Sequence, residues 1–149
     1  MPVSVVSPRP VPGLAAPLRA LVRAALAQEG RRAAEVAVVL TDDAALRALN
    51  RRWRGIDRAT DVLSFGYDEE AAGAVHGDVV VSLERVAGQA KRFRVKPGRE
   101  LARLVVHGTL HLAGLDHRRS AQRRHMLARE DAALRAARAA VAALEKALA

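Results

Sequence analysis

The stretch His107-Gly108-Thr109-Leu110-His111-Leu112-Ala113-Gly114-Leu115-Asp116-His117 decides how this chain is read. It holds three of the five histidines. Apolar Leu101, Leu104, Val105 and Leu112 recur with helical period and predict a helix over Arg99–Ala113. On that helix His107 and His111 stand at i and i+4, so both imidazoles project from one face. Gly114 ends the helix, because glycine takes the left-handed conformation at little cost. The chain then turns back, and His117 meets the other two rings from the opposite side. Three neutral imidazoles at ~2.0–2.1 Å, with a fourth position open to water, are the layout of a catalytic zinc site. The expected metal ligands are therefore His107, His111 and His117.

Outward from this stretch, strands and helices alternate without a strict repeat. Pro2–Val6 reads as a short strand, followed by a proline-rich turn. Leu14–Gln28 carries Leu14, Leu18, Leu21, Val22, Ala25 and Leu26 on one helical face, and Gly30 ends it. Glu35–Leu40 is a strand. Thr41 or Asp42 caps a helix from Asp43 to about Arg52. Trp53–Thr60 is expected as a loop, Asp61–Phe65 as a strand, and Gly66–His76 as a mobile acidic loop. Gly77–Ser82 is a further apolar strand, and Ser82 caps a helix to about Phe93. Lys96-Pro97-Gly98 is a turn. Ser120 caps a last helix that runs toward the C-terminus, with Leu127, Leu134, Val141 and Leu148 seven residues apart. That helix is expected to pack on the core; pairing with another chain is the alternative. The expected class is α+β: a small mixed sheet of about four strands packed with helices, with the metal site at the end of the H-x-x-x-H helix plus a loop histidine.

The 149 residues are expected to form a single domain over 1–149. Half of them are apolar, so a core forms without staples. Aromatics are scarce, which leaves the core to Val, Leu and Ala. The absence of cysteine excludes disulfide frameworks and thiolate chemistry. Four prolines before Gly13, then Arg19 and Arg23, break any continuous apolar run, so neither a signal peptide nor a membrane span is expected. The compartment that fits is the cytoplasm. A net charge of +9, nearly all from arginine, favours polyanionic partners. A GC-rich coding sequence yields the same Arg, Ala, Val and Gly bias, so charge alone leaves the partner open.

A three-histidine metal lowers the pKa of bound water to ~7 or acts as a Lewis acid on a phosphoryl or carbonyl oxygen. A substrate-orienting group is needed beside it. Arg54 is the first candidate, because guanidinium matches phosphate oxygens bidentately, and it is expected on the exposed loop. Arg58 is a second, and Ser64 is placed to line a cleft. Asp116 is either a hydrogen-bond acceptor behind the ligands or a turn residue. His76 and His125 read as surface or packing residues. Zinc proteases of the H-E-x-x-H type place the general base directly after the first histidine. Here that residue is Gly108, so peptide hydrolysis lacks its base.

These residues together resemble the bacterial YbeY family of rRNA maturation factors. The resemblance runs from about Leu46 to Glu130 and rests on four pieces. They are Leu49-Asn50-Arg51-Arg52-Trp53-Arg54-Gly55-Ile56-Asp57, Thr60-Asp61-Val62-Leu63-Ser64-Phe65, Gly77-Asp78-Val79-Val80-Val81-Ser82 and the histidine run. Met126 with Glu130 fits the closing helix. The resemblance implies a zinc-dependent, single-strand-specific endoribonuclease. Its implied role is in 16S rRNA 3′-end maturation and ribosome quality control, with RNA and ribosomal proteins as partners. It places one Zn2+ on the three histidines and the family's functionally important arginine at Arg54. With the residue reading above, the expected catalytic residues are Arg54 and His107, and the expected substrate-binding residues are Arg54, Ser64 and Arg58. Ala59 and Gly66 stand where the family usually has proline. Two alternatives remain: a ribosome-assembly RNA-binding factor with a structural metal, and a metzincin-like zinc hydrolase.

Overall fold

The structure is a computed structural model that describes residues 2–67 and 73–149. In chain order it runs β1 (Val3–Val6), α1 (Ala15–Gln28), β2 (Arg32–Thr41), α2 (Asp43–Arg54), β3 (Val62–Tyr67) and β4 (Ala74–Ser82). Four helices follow: α3 (Leu83–Phe93), α4 (Pro97–Leu112), α5 (Ser120–Ala136) and α6 (Arg138–Ala147). The strands form one mixed sheet in the order β1-β2-β4-β3. β1 pairs parallel with β2, and β2 with β4, while β3 runs antiparallel to β4. A parallel pair needs a crossover connection, and α1 supplies the one between β1 and β2. The chain therefore adopts the expected α+β class with a small mixed sheet.

Side-chain alternation divides the sheet into two unlike faces. Val36, Val38, Leu40, Val79 and Val81 point into the main core, where α1, α4, α5 and α6 contribute Leu18, Leu101, Leu110, Met126 and Leu144. Among the described residues, the opposite face is covered by α2. There Leu46, Leu63 and Val80 form a small second cluster, with Leu49 and Phe65 partly buried against it. Along β3 the alternation puts Ser64 against Gly108 of α4, while Leu63 and Phe65 face α2. Asp42 caps α2 by accepting from the Ala45 N–H at 2.8 Å. Ser82 caps α3 in the same way, accepting from the Arg85 N–H at 3.3 Å.

Several boundaries differ from the sequence expectation. α2 continues through Trp53 and Arg54 until Gly55 takes a positive φ of 70°. Arg54 is thus the last residue of a helix, not part of a loop. Arg51, Arg52 and Arg54 in the last turn complement the negative end of the helix dipole and favour the extension. β3 and β4 reach further into the expected loop, pairing Gly66 with Gly77 and Tyr67 with His76. Ladder hydrogen bonds need only backbone, so polar and glycine residues do not stop them. The remainder of that acidic segment, residues 68–72, lies outside the described residues. α4 starts at Pro97, which suits the first helical position because its missing N–H needs no partner there. The last helix is two, α5 and α6, separated at Ala137. Both pack on the core through Leu134 and Val141, whereas Leu127 is exposed.

Candidate metal centre

The centre is built at the C-terminal end of α4. The Leu115 N–H donates to Leu110 O and the Gly114 N–H to His111 O, both at 3.0 Å, with Gly114 at φ 99°. That pair of bonds is the Schellman arrangement, which closes the helix and reverses the chain. Asp116 then accepts from the His117 N–H at 2.7 Å and pairs with Arg118 at 2.8 Å. It is a turn residue whose oxygens are already engaged. The turn delivers His117 to the face carrying His107 and His111. The three ring centroids lie 4.8, 5.2 and 4.7 Å apart, and the candidate ligand nitrogens lie within 4.8 Å of one another. Among the described residues these three form the group able to hold a metal ion. His76 and His125 lie outside it.

The environment suits cation binding. Burial pushes the His111 pKa from 6.5 down to about 4, and the neighbouring His107 and His117 push it the same way. His111 is therefore a neutral lone-pair donor at neutral pH, the form that binds metal. His107 meets buried Glu130 of α5, its Nδ1 lying 2.8 Å from Glu130 Oε2. A carboxylate only accepts, so Nδ1 carries the proton and Nε2 is left as the ligand atom. Glu130 was not among the residues singled out by the histidine spacing. It is 23 residues from His107 and on another helix, and only the Met126–Glu130 spacing of the closing helix hinted at it.

The rings open into a cleft of about 400 Å³, whose lining includes Arg54, Asp61, Ser64 and the three histidines. Arg54 donates from Nη2 to Ser64 O at 3.1 Å, and Ser64 Oγ donates to Gly108 O at 2.8 Å. This relay ties α2, β3 and α4 together beside His107. It leaves most of the Arg54 fork free to meet an anion. Asp61 is also in the cleft, but it accepts from the Val62 N–H at 2.8 Å and from Gln89 Nε2 at 3.1 Å. Arg58 does not line this cleft; it borders a shallow depression with Asp43, Arg47 and Asp57. Gly108 explains the missing H-E-x-x-H base. A Cβ there meets Val79 Cγ1 at 2.6 Å and Ser64 Oγ at 3.0 Å, so no larger side chain fits.

The fold and site define a class: an α+β protein with a small mixed sheet and three convergent imidazoles at a helix end. The family described as Endoribonuclease YbeY matches residues 13–138. The chain is 48% identical over 127 residues to the Endoribonuclease YbeY of Anaeromyxobacter sp. (strain Fw109-5), covering 85% of this chain and 66% of that protein. It is 48% identical over 114 residues to that of Anaeromyxobacter dehalogenans (strain 2CP-C), covering 76% and 59%. It thus spans somewhat less than two thirds of these two relatives' lengths. With that of Moorella thermoacetica it shares 41% identity over 128 residues, covering 78% and 82%. The solution structure of TM1509 from Thermotoga maritima superposes with a TM-score of 0.62 at 27% identity, covering 92% of each chain. The chain belongs to the YbeY family. No helix among the described residues is long and apolar enough to cross a membrane.

Proposed function

We propose that this protein is a zinc-dependent endoribonuclease specific for single-stranded RNA, working as a single domain in the cytoplasm. The observation that carries the reading is the convergence of His107, His111 and His117 on a cleft shared with Arg54. A divalent cation held by these imidazoles supplies Lewis acidity toward a phosphoryl oxygen and acidifies water. Zinc is the cation that best suits three imidazoles with a position left open. Arg54 binds the phosphodiester, its guanidinium held in place by the Ser64 carbonyl. Ser64 acts through that carbonyl, keeping Arg54 and α4 in register. Arg58, set apart from the cleft, serves the more distant phosphates of the strand. The basic surface supports a polyanionic substrate. The relatives are named as endoribonucleases, and the substrate we assign is the 3′ end of precursor 16S rRNA. Quality control of assembled ribosomes, in contact with ribosomal proteins, is the cellular setting.

Two variants test this. His107→Ala loses bound metal and cleavage together. Arg54→Ala keeps its metal and loses cleavage at least tenfold, as expected when a charge-matched phosphate contact worth ~1.5–3 kcal/mol is removed. Metal analysis of purified protein, run beside cleavage of single-stranded and duplex RNA, gives the answer. Undiminished cleavage in both variants overturns the assignment. A structural-metal RNA-binding factor predicts instead that no RNA is cut by the wild type.

A further inference from the structure

The chain has one tryptophan, one tyrosine and two phenylalanines, and none of them is in the buried core. Three of the four meet at one groove. Trp53 at the end of α2, with Phe65 and Tyr67 on β3, lines a depression of about 650 Å³ on the α2 side of the sheet. Trp53 is 63% exposed and Tyr67 58%. Aromatic rings are the side chains that gain most from burial. A protein with so few of them leaves these on its surface, where they contribute little to folding.

The groove exists because α2 is short. The helix covers Leu63 and Val80 but stops before the far end of the β3–β4 ladder, where Phe65 pairs with Asp78 and Tyr67 with His76. Its position is specific in two further ways. Ser64 and Gly66 of β3 line both this groove and the metal cleft, so the two adjoin at that strand. Its aromatic rings are flanked by cations. The Arg52 guanidinium lies 5.1 Å from the centre of the Trp53 ring, and that of Arg54 lies 5.8 Å from the centre of Phe65. Arg54 thus stands at the junction, lining the cleft on one side and covering Phe65 on the other. Tyr67 is held by its hydroxyl, which donates to Asp78 Oδ2 at 2.5 Å.

We propose that this groove is a base-stacking platform for the RNA strand whose phosphate lies in the metal cleft, with Trp53 and Tyr67 as the stacking rings. The inference rests on the endoribonuclease reading above and extends it. Aromatic rings beside arginines match a strand that alternates π-faces with anionic phosphates. The charge complementarity favours this occupant over an apolar polypeptide. A duplex keeps its bases stacked on each other and cannot offer them to the rings, so the platform also supplies a physical basis for preferring single strands. Stacking is tolerant of base identity, because every base has a π-face.

Trp53 is the protein's single tryptophan, so its emission reports on the groove directly. Metal-loaded full-length protein is mixed in stopped flow with oligoadenylate, or with an abasic strand of equal length, ahead of cleavage. Oligoadenylate is expected to quench Trp53 and the abasic strand to leave it unchanged. Trp53→Ala and Tyr67→Ala each weaken oligoadenylate binding about tenfold, the usual loss for one stacked base, and leave the abasic strand's affinity unaltered. Trp53→Phe restores most of the loss. Both positions are exposed, so these variants fold. Equal binding of the two strands, or unchanged oligoadenylate affinity in Trp53→Ala, overturns the platform and assigns the groove to a polypeptide. If RNA is still cleaved in that case, the endoribonuclease reading stands while this inference falls. If the wild type neither binds nor cuts single strands, both fall.

Discussion

At the scale of single residues, the metal centre depends on which nitrogen of each imidazole faces the cation and on whether it is free of a proton. Glu130 settles the first for His107 by accepting from Nδ1 across 2.8 Å. Glu130→Gln keeps the shape but removes the negative charge that raises imidazole basicity, so zinc affinity is expected to fall about 10–100-fold. Competition with a chromophoric chelator measures it, and an unchanged affinity reduces Glu130 to a packing role. Burial settles the second for His111, whose folded pKa is about 4 against 6.5 for an exposed imidazole. In the metal-free protein the unfolded chain therefore takes up a proton at His111 as the pH drops through 6.5, while the folded protein takes none until about 4. Stability contributed by this group is complete above 6.5 and is lost as the pH falls toward 4. The urea midpoint of metal-free protein should fall between pH 7 and pH 4.5, and fall less in His111→Asn. Equal falls in both would remove His111 from the account. The histidines were legible in the sequence because their spacing is local to one helix and its turn. The role of Glu130 was not, because its partner His107 lies on another helix and only packing brings the two together.

At the scale of elements, α4 is the part that must sit correctly, and a close approach sets its depth. At Gly108 the helix meets β3 and β4 so tightly that an added Cβ stands 2.6 Å from Val79 Cγ1 and 3.2 Å from Val62 Cγ2. Neither neighbour is the loose end of a long side chain, so Gly108→Ala must push α4 away from the sheet. Overpacking of this kind costs ~1–3 kcal/mol. Displacement also lengthens the Ser64–Gly108 bond that links Arg54 to the ligand helix. The expected outcome is a lowered urea midpoint together with weaker zinc binding. A variant as stable as the wild type would mean that α4 and the strands slide without cost. The sequence showed that Gly108 was not a catalytic glutamate, but only the tertiary contact shows that nothing larger fits. The helix periods of α1, α2 and α3 and the N-caps of α2 and α3 were likewise readable, since amphipathic spacing and Asp or Ser caps are local signals. The ends of α2, β3 and β4 were missed because Trp53, Gly66 and His76 are weak local formers held in place by dipole and ladder.

At the scale of the whole molecule, one group of arginines is placed where it helps folding and another where it opposes it. Arg51, Arg52 and Arg54 close α2, with Arg54 in the metal cleft, and exposed Arg118, Arg119, Arg123 and Arg124 follow His117 in the chain around the start of α5. The first group complements the helix dipole. The second opposes it, because cations at a helix N-terminus face its positive end. Arg119 occupies the N-cap itself, and α5 has no acidic residue in its first turn. The Arg119 N–H is already accepted by Gln122 Oε1 at 3.0 Å, half of a capping box. Arg119→Ser supplies the other half and removes the opposing charge, so the folded protein should gain about 0.5–1 kcal/mol. The same substitution should weaken single-stranded RNA binding and reduce the slope of log affinity against log salt by about 0.7, the share of one phosphate contact. Urea unfolding and salt-dependent titration of one variant thus read opposite signs. A gain in stability with an unaltered salt slope would show that Arg119 does not face the strand. A loss of stability would show that its charge serves the fold. The sheet order and the meeting of Arg54 with the histidines lay beyond sequence reading, since they depend on how α2, β3 and α4 pack across the chain. The opposition of charge and dipole at α5 is a local feature, and there the competing demands of folding and binding can be separated with a single side chain.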